Sequence, residues 1–389
     1  MIFYLILLSG LGTLGYLGAD MYLPSLPGLE TYFGSSKAAV GLSFSIYMFG
    51  ITIGQLFYGT LSDHFGRKKT LIFGLTLFAL SSIACIYTTH IAAFISLRLL
   101  QALGACASMV IWQAMVIDKF DTEKTHKIFA FVFPMLALSP AIAPTIGGII
   151  MTLSSWQTIF MTLAGIGFIL LCATFLISET MKKAAPSPQK LWPATKTKYL
   201  TLLRSRNFMG YVCTIGLTSG AYFCYLTASP FILKQMGYDA MFIGLSYIPQ
   251  TIAFMCGGFM SKKIIDYFGV NTMQYCLYAF VFFAVILFCA TVIFPLQHAL
   301  QIVLPFSIMA LLNGVLYPRA MSLALNCFPE LAGTSAGLAG SLQAFIAFVS
   351  TSILAALLFM GVVSMSVIIV LMALAGLLVY RNGVRKCFS

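Results

Sequence analysis

Most of the chain consists of apolar runs long enough to cross a lipid bilayer. A helix needs about 20 apolar residues to span about 30 Å of hydrocarbon, and twelve such runs occur among the 389 residues. Glycine and proline occur inside many of them, as is typical of membrane helices. We therefore expect an all-α membrane protein with twelve transmembrane helices, at 2–28, 38–60, 70–88, 91–117, 126–152, 156–178, 207–235, 240–262, 270–294, 299–322, 332–360 and 363–381.

The composition excludes a soluble domain and gives no sign of an enzyme. Apolar residues make up 60% of the chain and charged residues 8%, which leaves too little polar surface to cover a soluble globule. The ten cysteines form no CxxC pair, and the four histidines show no metal-ligand spacing. No nucleophile elbow or phosphate loop is present. We predict a lipid bilayer as the environment, with no metal, no cofactor and no enzymatic activity.

The basic residues predict the orientation of the chain. If the N-terminus is cytoplasmic, 19 of the 22 Lys and Arg residues fall in cytoplasmic connections, and the positive-inside rule then places both termini in the cytoplasm. Nucleic-acid binding requires such charges to cluster on one soluble surface, so we predict no nucleic-acid partner. The cytoplasmic set is Arg67, Lys68, Lys69, Lys119, Lys124, Lys127, Lys182, Lys183, Lys190, Lys196, Lys198, Arg204, Arg206, Lys262, Lys263, Arg319, Arg381, Arg385 and Lys386.

The beginning of the chain and its short outer loops indicate the kind of membrane. Residues 1–18 are apolar without a basic leader or a cleavage site, and they predict a retained first helix rather than a signal peptide. The sequence leaves open whether Met1 is the true start. No Asn-x-Ser/Thr acceptor site occurs. We expect a multi-pass protein of a bacterial inner membrane.

Residues 59–71 form a short charged hairpin between the second and third apolar runs. Seven of its positions follow the pattern G-x-L-x-D-x-x-G-R-K/R-K/R, namely Gly59, Leu61, Asp63, Gly66, Arg67, Lys68 and Lys69. This pattern resembles the signature loop of the major facilitator superfamily. The resemblance implies two pseudo-symmetric six-helix halves with a cavity between them, which is the architecture of a secondary transporter.

A long polar stretch divides the twelve runs into two groups of six. It predicts an N-terminal half at 1–178, a cytoplasmic linker at 179–206 and a C-terminal half at 207–389. A degenerate internal repeat supports the division, because residues 258–261 echo residues 59–62 between the eighth and ninth runs. In that second copy Lys262 stands where the first has Asp63. We expect the chain to act as a monomer.

Two ionisable side chains lie well inside the runs, Asp20 in the first and Arg98 in the fourth. Such a residue costs about 2.5–3.5 kcal/mol near the centre of a membrane helix, and it normally faces a cavity and pairs with another charge, a substrate or an ion. We predict that both face the interior of the N-terminal half and interact, directly or through water, to load and release a proton. The alternatives are that Asp20 is solvated at the outer interface, or caps the break before Pro24, and that Arg98 ties helices together through backbone carbonyls.

Three motifs narrow the resemblance to the drug:proton antiporters of the bicyclomycin-resistance type, over essentially the whole chain. Residues 20–27 follow D-M-Y-L-P-x-x-P, and residues 98–105 follow R-x-x-Q-G-x-G-A with Ala102 in place of the usual glycine. Residues 140–148 resemble the antiporter motif of the fifth helix. The resemblance implies proton transfer through Arg98 and favours export, and it assigns close helix packing and a bend to Pro140, Pro144, Gly147 and Gly148.

The hairpin also predicts a conformational latch between the halves. Asp63 is placed to accept hydrogen bonds from free N–H groups at the start of the eleventh helix, near residues 333–335, where the helix dipole favours an anion. Arg67 is expected to pair with Asp63 or with Asp118. Gly59 and Gly66 complete the predicted set. The alternative is that the loop only sets the topology and the turn, and the role of Arg319 is left open.

Polar and aromatic side chains on the apolar runs predict a substrate cavity with little fixed hydrogen-bond geometry. We predict proton-coupled export of a small organic compound by alternating access, so that the partners are a small-molecule substrate and protons. The alternative is an importer or facilitator of a metabolite or siderophore. The identity of the substrate and the direction and stoichiometry of coupling stay open. The predicted cavity residues are Tyr22, Tyr47, Gln101, Trp112, Gln113, Tyr225, Asn313, Tyr317 and Gln343.

Overall fold

The computed structural model describes residues 2–181 and 188–384, and all regular structure within these residues is helical. Seven helices precede the gap and eight follow it. The first group is α1 Ile2–Asp20, α2 Leu26–Phe33, α3 Lys37–Phe65, α4 Arg67–Ile86, α5 Ile91–Lys119, α6 Thr122–Leu153 and α7 Trp156–Phe175. The second is α8 Pro188–Arg204, α9 Arg206–Gln235, α10 Ala240–Leu245, α11 Ile248–Phe268, α12 Thr272–Phe288, α13 Leu300–Asn326, α14 Ala332–Leu357 and α15 Val362–Gly383.

Eleven helical stretches among the described residues are long and apolar enough to cross a membrane. The twelfth span is α9, whose 30 residues are sufficient in length but include several Gly, Ser and Thr residues that lower its hydropathy. Twelve spans are therefore confirmed, with some ends displaced from the prediction. The second span continues to Phe65, five residues beyond the predicted end, and the third begins at Arg67 rather than residue 70.

The first span is broken directly after Asp20. The helix α1 ends at that residue, a single 3-10 turn follows at Leu23–Ser25, and α2 then completes the crossing. Pro24 and Pro27 explain the break, because proline lacks the N–H of a helical hydrogen bond and disfavours helical geometry in the preceding residue. The break places Asp20 at a helix end inside the membrane-spanning region.

The helices form two halves that pack in the same way. In the N-terminal half α5 lies against α1, α3 and α4, and in the C-terminal half α13 lies against α9, α11 and α12. Between the halves, α3 runs along α14, and α6 packs on α10. These pairs join the second span to the eleventh and the fifth to the eighth, as expected for two related halves. The architecture is the major facilitator fold.

The linker contains the helix α8, which packs on α9 and α14. Residues 182–187 of the predicted linker lie outside the described residues, as do four members of the predicted cytoplasmic set, Lys182, Lys183, Arg385 and Lys386. The side chain of Lys190 is not described either. The exact domain boundaries stay a prediction. We refer to the end of the bundle that holds α2 as the α2 end and to the opposite end, which holds α8, as the linker end.

Glycines let helices of the same half approach each other closely. A β-carbon at Gly257 on α11 would lie 2.0 Å from the carbonyl oxygen of Leu311, and one at Gly314 on α13 would lie 2.1 Å from that of Phe254. Neither distance is compatible with a side chain. Small residues at such crossings allow van der Waals contact between backbones, which is the main source of helix association in lipid.

Polar side chains cap the helices that begin near the membrane surface. The Ser36 hydroxyl accepts a hydrogen bond from the backbone N–H of Ala39 at the start of α3, at 3.2 Å. The Asp121 carboxylate accepts the backbone N–H of Lys124 at the start of α6, at 2.9 Å. This hydrogen bond to the ionised form holds the pKa of Asp121 below its ordinary value. Both caps satisfy N–H groups that have no partner within the helix.

Candidate functional site

Arg98 lies in a cage of aromatic rings inside the N-terminal half. Its side chain is fully buried, and the guanidinium carbon is 4.0 Å from the ring centre of Tyr22, 4.4 Å from that of Tyr47 and 5.7 Å from that of Phe160. The faces of these rings attract a cation. Tyr22 and Tyr47, which were predicted to line the substrate cavity, therefore surround Arg98 and lie outside the lining described below.

The hydrogen bonds of Arg98 use only part of its donor capacity. Nη1 donates to the carbonyl oxygen of Gly18 at 2.9 Å and also to Oε1 of Gln101. Gln101 in turn donates from Nε2 to the hydroxyl of Ser82 at 2.7 Å. Nε and Nη2 of Arg98 have no partner among the described residues, although both are buried. Unpaired buried donors are costly, and the aromatic faces around the guanidinium offset part of that cost.

Asp20 is buried near Arg98 without touching it. Only 3% of its surface is exposed, which does not fit the alternative of a carboxylate solvated at the interface. Within the described part of the chain its carboxylate forms no hydrogen bond and has no ion-pair contact within 4.0 Å. The charges of Asp20 and Arg98 nevertheless act on each other through the protein interior. Both residues face the interior of the N-terminal half, and the tie from Arg98 to the Gly18 carbonyl is present as well.

A cavity of about 430 Å³ lies between the two halves. Six of its lining residues belong to the N-terminal half and fourteen to the C-terminal half, and none of them is charged. Asp20 lies one turn beyond Tyr16 of the lining, on the same face of α1. The lining residues are Tyr16, Gln113, Phe133, Leu136, Ala137, Pro140, Thr218, Ser219, Tyr222, Phe223, Gln250, Thr251, Phe254, Phe280, Phe306, Met309, Ala310, Asn313, Tyr317 and Gln343.

Four of the nine predicted cavity residues line this space, namely Gln113, Asn313, Tyr317 and Gln343. The other five predicted residues do not line it. Tyr22, Tyr47 and Gln101 lie at the Arg98 cluster, and Trp112 and Tyr225 pack against other rings. Trp112 packs edge to face on Phe129, with ring centres 5.5 Å apart, and Tyr225 stacks flat on Phe306 at 4.0 Å. That any of the nine contacts substrate stays a prediction.

Sequence reasoning left several lining residues out of the predicted set. Tyr16 and Thr218 are two of them. A usable signal was the spacing of four residues between polar or aromatic positions, as from Thr218 to Tyr222, because residues i and i+4 share one face of a helix. Asn313 and Tyr317 have the same spacing. A stripe of this kind identifies a face more reliably than single polar residues do.

The antiporter motif on α6 closes the cavity at the α2 end. A β-carbon at Gly147 would lie 1.8 Å from the carbonyl oxygen of Met21, and one at Gly148 would lie 2.6 Å from that of Ala240. On the facing helix α10, a β-carbon at Gly244 would lie 2.4 Å from the carbonyl oxygen of Pro144. The segment therefore sits between the break that follows Asp20 and the first turn of α10. Pro140 of the same motif lines the cavity, and α6 is continuous through its three prolines.

The charged hairpin holds three helices together at the linker end. Arg67 contacts Asp63 at 2.5 Å, Asp118 at 2.9 Å and the Ser62 hydroxyl at 2.6 Å. It thus pairs with both carboxylates that were considered, and it connects the hairpin to α5, the helix of Arg98. Gly66 has φ of +98°, which glycine adopts without strain.

The predicted contact of Asp63 with the start of the eleventh span is not formed in this conformation. Among the described side chains the partner of Asp63 is Arg67, and no hydrogen bond links it to residues 333–335. A side chain at Gly59 would meet nothing within 4 Å, so nothing in this structure explains the glycine there. The latch stays a prediction for another conformation of the transporter.

Glu179 and Lys68 form a crossed pair of caps that the sequence did not indicate. The Glu179 carboxylate accepts hydrogen bonds from the backbone N–H groups of Arg67 and Lys68 at the start of α4, each with an N–O distance of 3.1 Å. The ammonium group of Lys68 donates to the carbonyl oxygens of Phe175 and Ile177 at the end of α7, at 2.9 and 2.7 Å. Each charge thus lies at the helix end whose dipole favours it.

We expect the Glu179→Ala variant to be less stable than the wild type by about 0.5–2 kcal/mol, the usual cost of removing a helix cap. The measurement is the thermal unfolding midpoint of purified protein in detergent. The matched control is Glu330→Ala, because Glu330 is an exposed carboxylate that forms no ion pair among the described residues. Equal midpoints for the two variants would show that the cap contributes nothing.

Twelve spans in two similar halves, with a cavity between them and buried opposite charges beside it, define a membrane transporter. The chain belongs to the Major Facilitator Superfamily, whose profile matches residues 8–351. It is therefore a transporter and not an enzyme, and the prediction of a multi-pass membrane protein is confirmed. Members of this superfamily move small molecules across membranes, usually coupled to protons.

Individual relatives agree with this placement. The chain is 35% identical over 258 residues to a Bacillus subtilis protein named uncharacterized MFS-type transporter YdgK, a match that spans 65% of this chain and 64% of that one. It is 26% identical over 357 residues to a Haemophilus influenzae protein named bicyclomycin resistance protein homolog, and this match spans 91% of this chain and 89% of that one. The crystal structure of a D-xylose-proton symporter has the same fold, with a TM-score of 0.77 and 16% identity over 98% of each chain.

Proposed function

We propose that this transporter exports a small organic compound in exchange for protons, in a bacterial inner membrane and with both termini in the cytoplasm. The observation that supports this most directly is the pair of buried charges. Asp20 forms no ion pair among the described residues, and two nitrogens of Arg98, Nε and Nη2, have no partner there. A buried carboxylate that is not locked in an ion pair is free to gain and lose a proton. The relative named for bicyclomycin resistance supports a drug-like substrate.

The position of Asp20 offers a route from protonation to conformational change. When the carboxylate is ionised, it is attracted to the guanidinium of Arg98, and a bound proton removes that attraction. Met21 follows directly, and its carbonyl oxygen is the atom that Gly147 of α6 approaches. A shift of the chain at Asp20 therefore changes the packing that closes the α2 end. We propose that proton binding from the outer side favours one closure of the halves and proton release favours the other.

We propose that the charged hairpin stabilises the opposite closure, at the linker end. In the present conformation Asp63 pairs with Arg67, and the α2 end is closed by Gly147, Gly148 and Gly244. We propose that closure of the linker end brings Asp63 to the N–H groups of residues 333–335. Alternating access then exchanges one set of contacts for the other around a fixed cavity. The membrane potential adds about 2.3 kcal/mol per elementary charge per 100 mV to such a cycle.

The test is substrate-driven proton movement in proteoliposomes that contain only this protein. A gradient of bicyclomycin is imposed across the membrane, and a trapped pH-sensitive dye records the internal pH. We expect protons to move against the direction of the compound. Movement of protons together with bicyclomycin would indicate an importer instead. If bicyclomycin equilibrates with no proton movement, the protein is a facilitator and the proposed exchange is wrong.

A further inference from the structure

The segment that joins the two halves is strongly basic. Residues 180–206 contain seven Lys and Arg residues and no Asp or Glu. Lys196, Lys198 and Arg204 on α8 are exposed, and none of the three forms an ion pair among the described residues. The positive-inside rule accounts for the side of the membrane on which such charges lie. It does not account for their arrangement on the helix.

One face of α8 combines two of these cations with two exposed leucines. Lys196, Leu200, Leu203 and Arg204 follow the spacing i, i+4, i+7 and i+8, which places them in one stripe along the helix. We refer to these four residues as the α8 stripe. Leu200 and Leu203 expose 43% and 41% of their surface, and a cation lies at each end of the pair. Lys198 follows Lys196 by two residues and therefore lies on the other side of the helix.

A different face of α8 packs against the helical bundle. Leu202 is fully buried and belongs to the same apolar cluster as Phe208 and Val212 of α9. The hydroxyl of Tyr199 donates a hydrogen bond to the carbonyl oxygen of Leu56 on α3, with an O–O distance of 3.5 Å. The helix thus contacts the C-terminal half through Leu202 and the N-terminal half through Tyr199. Because protein covers this face, the α8 stripe points away from the bundle.

The contacts with α9 place the α8 stripe near the membrane surface. The 30 residues of α9 extend over about 45 Å, whereas the hydrocarbon of a bilayer is about 30 Å thick, so the ends of α9 lie beyond the hydrocarbon. Leu202 shares its buried cluster with residues 208, 211 and 212, in the first two turns of α9. At this depth an exposed leucine reaches the boundary of the acyl chains, while Lys and Arg keep their charges among the headgroups.

We propose that the α8 stripe binds anionic phospholipid. Leu200 and Leu203 insert at the boundary of the acyl chains, and the charges of Lys196 and Arg204 contact the headgroup phosphates. A zwitterionic lipid carries the same phosphate, but its own ammonium group cancels the net charge that attracts these cations. Because α8 contacts both halves, the bound lipid attaches the linker to the membrane beside the point where the halves meet.

Trp192 on α8 provides a local probe of the neighbouring lipid. It precedes Lys196 by four residues, and the other two tryptophans, Trp112 and Trp156, are replaced by phenylalanine to give a parent protein. The parent is reconstituted in mixed vesicles in which either phosphatidylglycerol or phosphatidylcholine carries brominated acyl chains, and the quenching of Trp192 fluorescence measures which lipid lies beside α8. Each cation near an anionic surface strengthens binding about 5-fold. We therefore expect a preference for phosphatidylglycerol of about 10-fold or more.

Two lysines of the same helix form a matched pair for this test. Lys196→Gln and Lys198→Gln each remove one exposed charge from α8, but only Lys196 belongs to the α8 stripe. We expect Lys196→Gln to lower the preference for phosphatidylglycerol about 5-fold, and Arg204→Gln to do the same. Lys198→Gln is expected to stay close to the parent. Leu200→Ser should reduce quenching by both brominated lipids, because the helix then inserts less deeply.

Equal quenching by the two brominated lipids in the parent, or equal effects of Lys196→Gln and Lys198→Gln, would overturn the proposal. The positive-inside rule would then explain these charges completely. Native mass spectrometry of the chain with all three tryptophans is a second measurement, and it decides alone if the parent does not fold. We expect Lys196→Gln to retain fewer bound phosphatidylglycerol molecules than Lys198→Gln, and equal numbers would contradict the proposal. Neither measurement needs a substrate or a proton gradient, so the outcome is independent of the proposed exchange.

Discussion

Replacing Asp20 by asparagine is expected to lower proton-driven transport by about 100-fold or more, because an amide cannot bind and release a proton in this pH range. The substitution preserves the shape of the side chain. It also removes the attraction that Arg98 exerts on the ionised carboxylate. Binding at the cavity is expected to stay near the wild-type level, since Asp20 is not part of the lining.

The measurement separates coupling from substrate movement in the same proteoliposomes. Uphill transport of bicyclomycin under a pH gradient reports coupling, and counterflow without a gradient reports the movement of bound substrate alone. We expect Asp20→Asn to lose the first and retain the second. The control is Asp20→Glu, which keeps an ionisable acid and should retain part of the uphill transport. A wild-type uphill rate in Asp20→Asn would remove this residue from the mechanism.

The second large effect is expected from Gly147→Ala in the antiporter motif. The added methyl group would lie 1.8 Å from the carbonyl oxygen of Met21, so the two segments must separate by at least an ångström. Such overpacking of a close contact usually costs about 1–3 kcal/mol. The cost falls on the closed α2 end, and we therefore expect about a 10-fold or greater fall in transport, with the conformational equilibrium shifted toward an open α2 end.

Spin labels at residues 154 and 241, near the ends of α6 and α10, measure this opening. We expect the distance distribution in Gly147→Ala to shift to longer values than in the wild type. The control is Gly165→Ala on α7, where an added methyl group meets nothing within 4 Å. If the two variants give the same distances and transport rates, then close packing at Gly147 does not determine the closed state.

The membrane spans followed from local features of the chain. Each apolar run is long enough to form a helix that satisfies its own backbone hydrogen bonds, so spans can be identified without knowing their neighbours. Pro24 and Pro27 indicated the break in the first span. The hairpin residues were equally predictable. Gly66 forms a turn, and Arg67 pairs with Asp63, four residues earlier in the chain.

Contacts between distant segments were less predictable. Tyr22 and Tyr47 were expected at the substrate, but they surround Arg98, since a cation attracts whichever aromatic faces the fold brings near. Glu179 is the clearest omission. It caps α4 from more than a hundred residues away, and a single glutamate after an apolar run has no local pattern that reveals such a partner.

The amino-acid sequence alone determined that this protein is a helical membrane transporter with a buried acid and a buried base, because hydropathy and charge are properties of the residues themselves. Only the tertiary structure decided which helix faces meet. It placed Gly147 against the carbonyl of Met21, next to Asp20, and it kept Asp20 out of direct contact with Arg98. In lipid the rotation of each helix depends on packing and interhelical hydrogen bonds, which no single segment encodes.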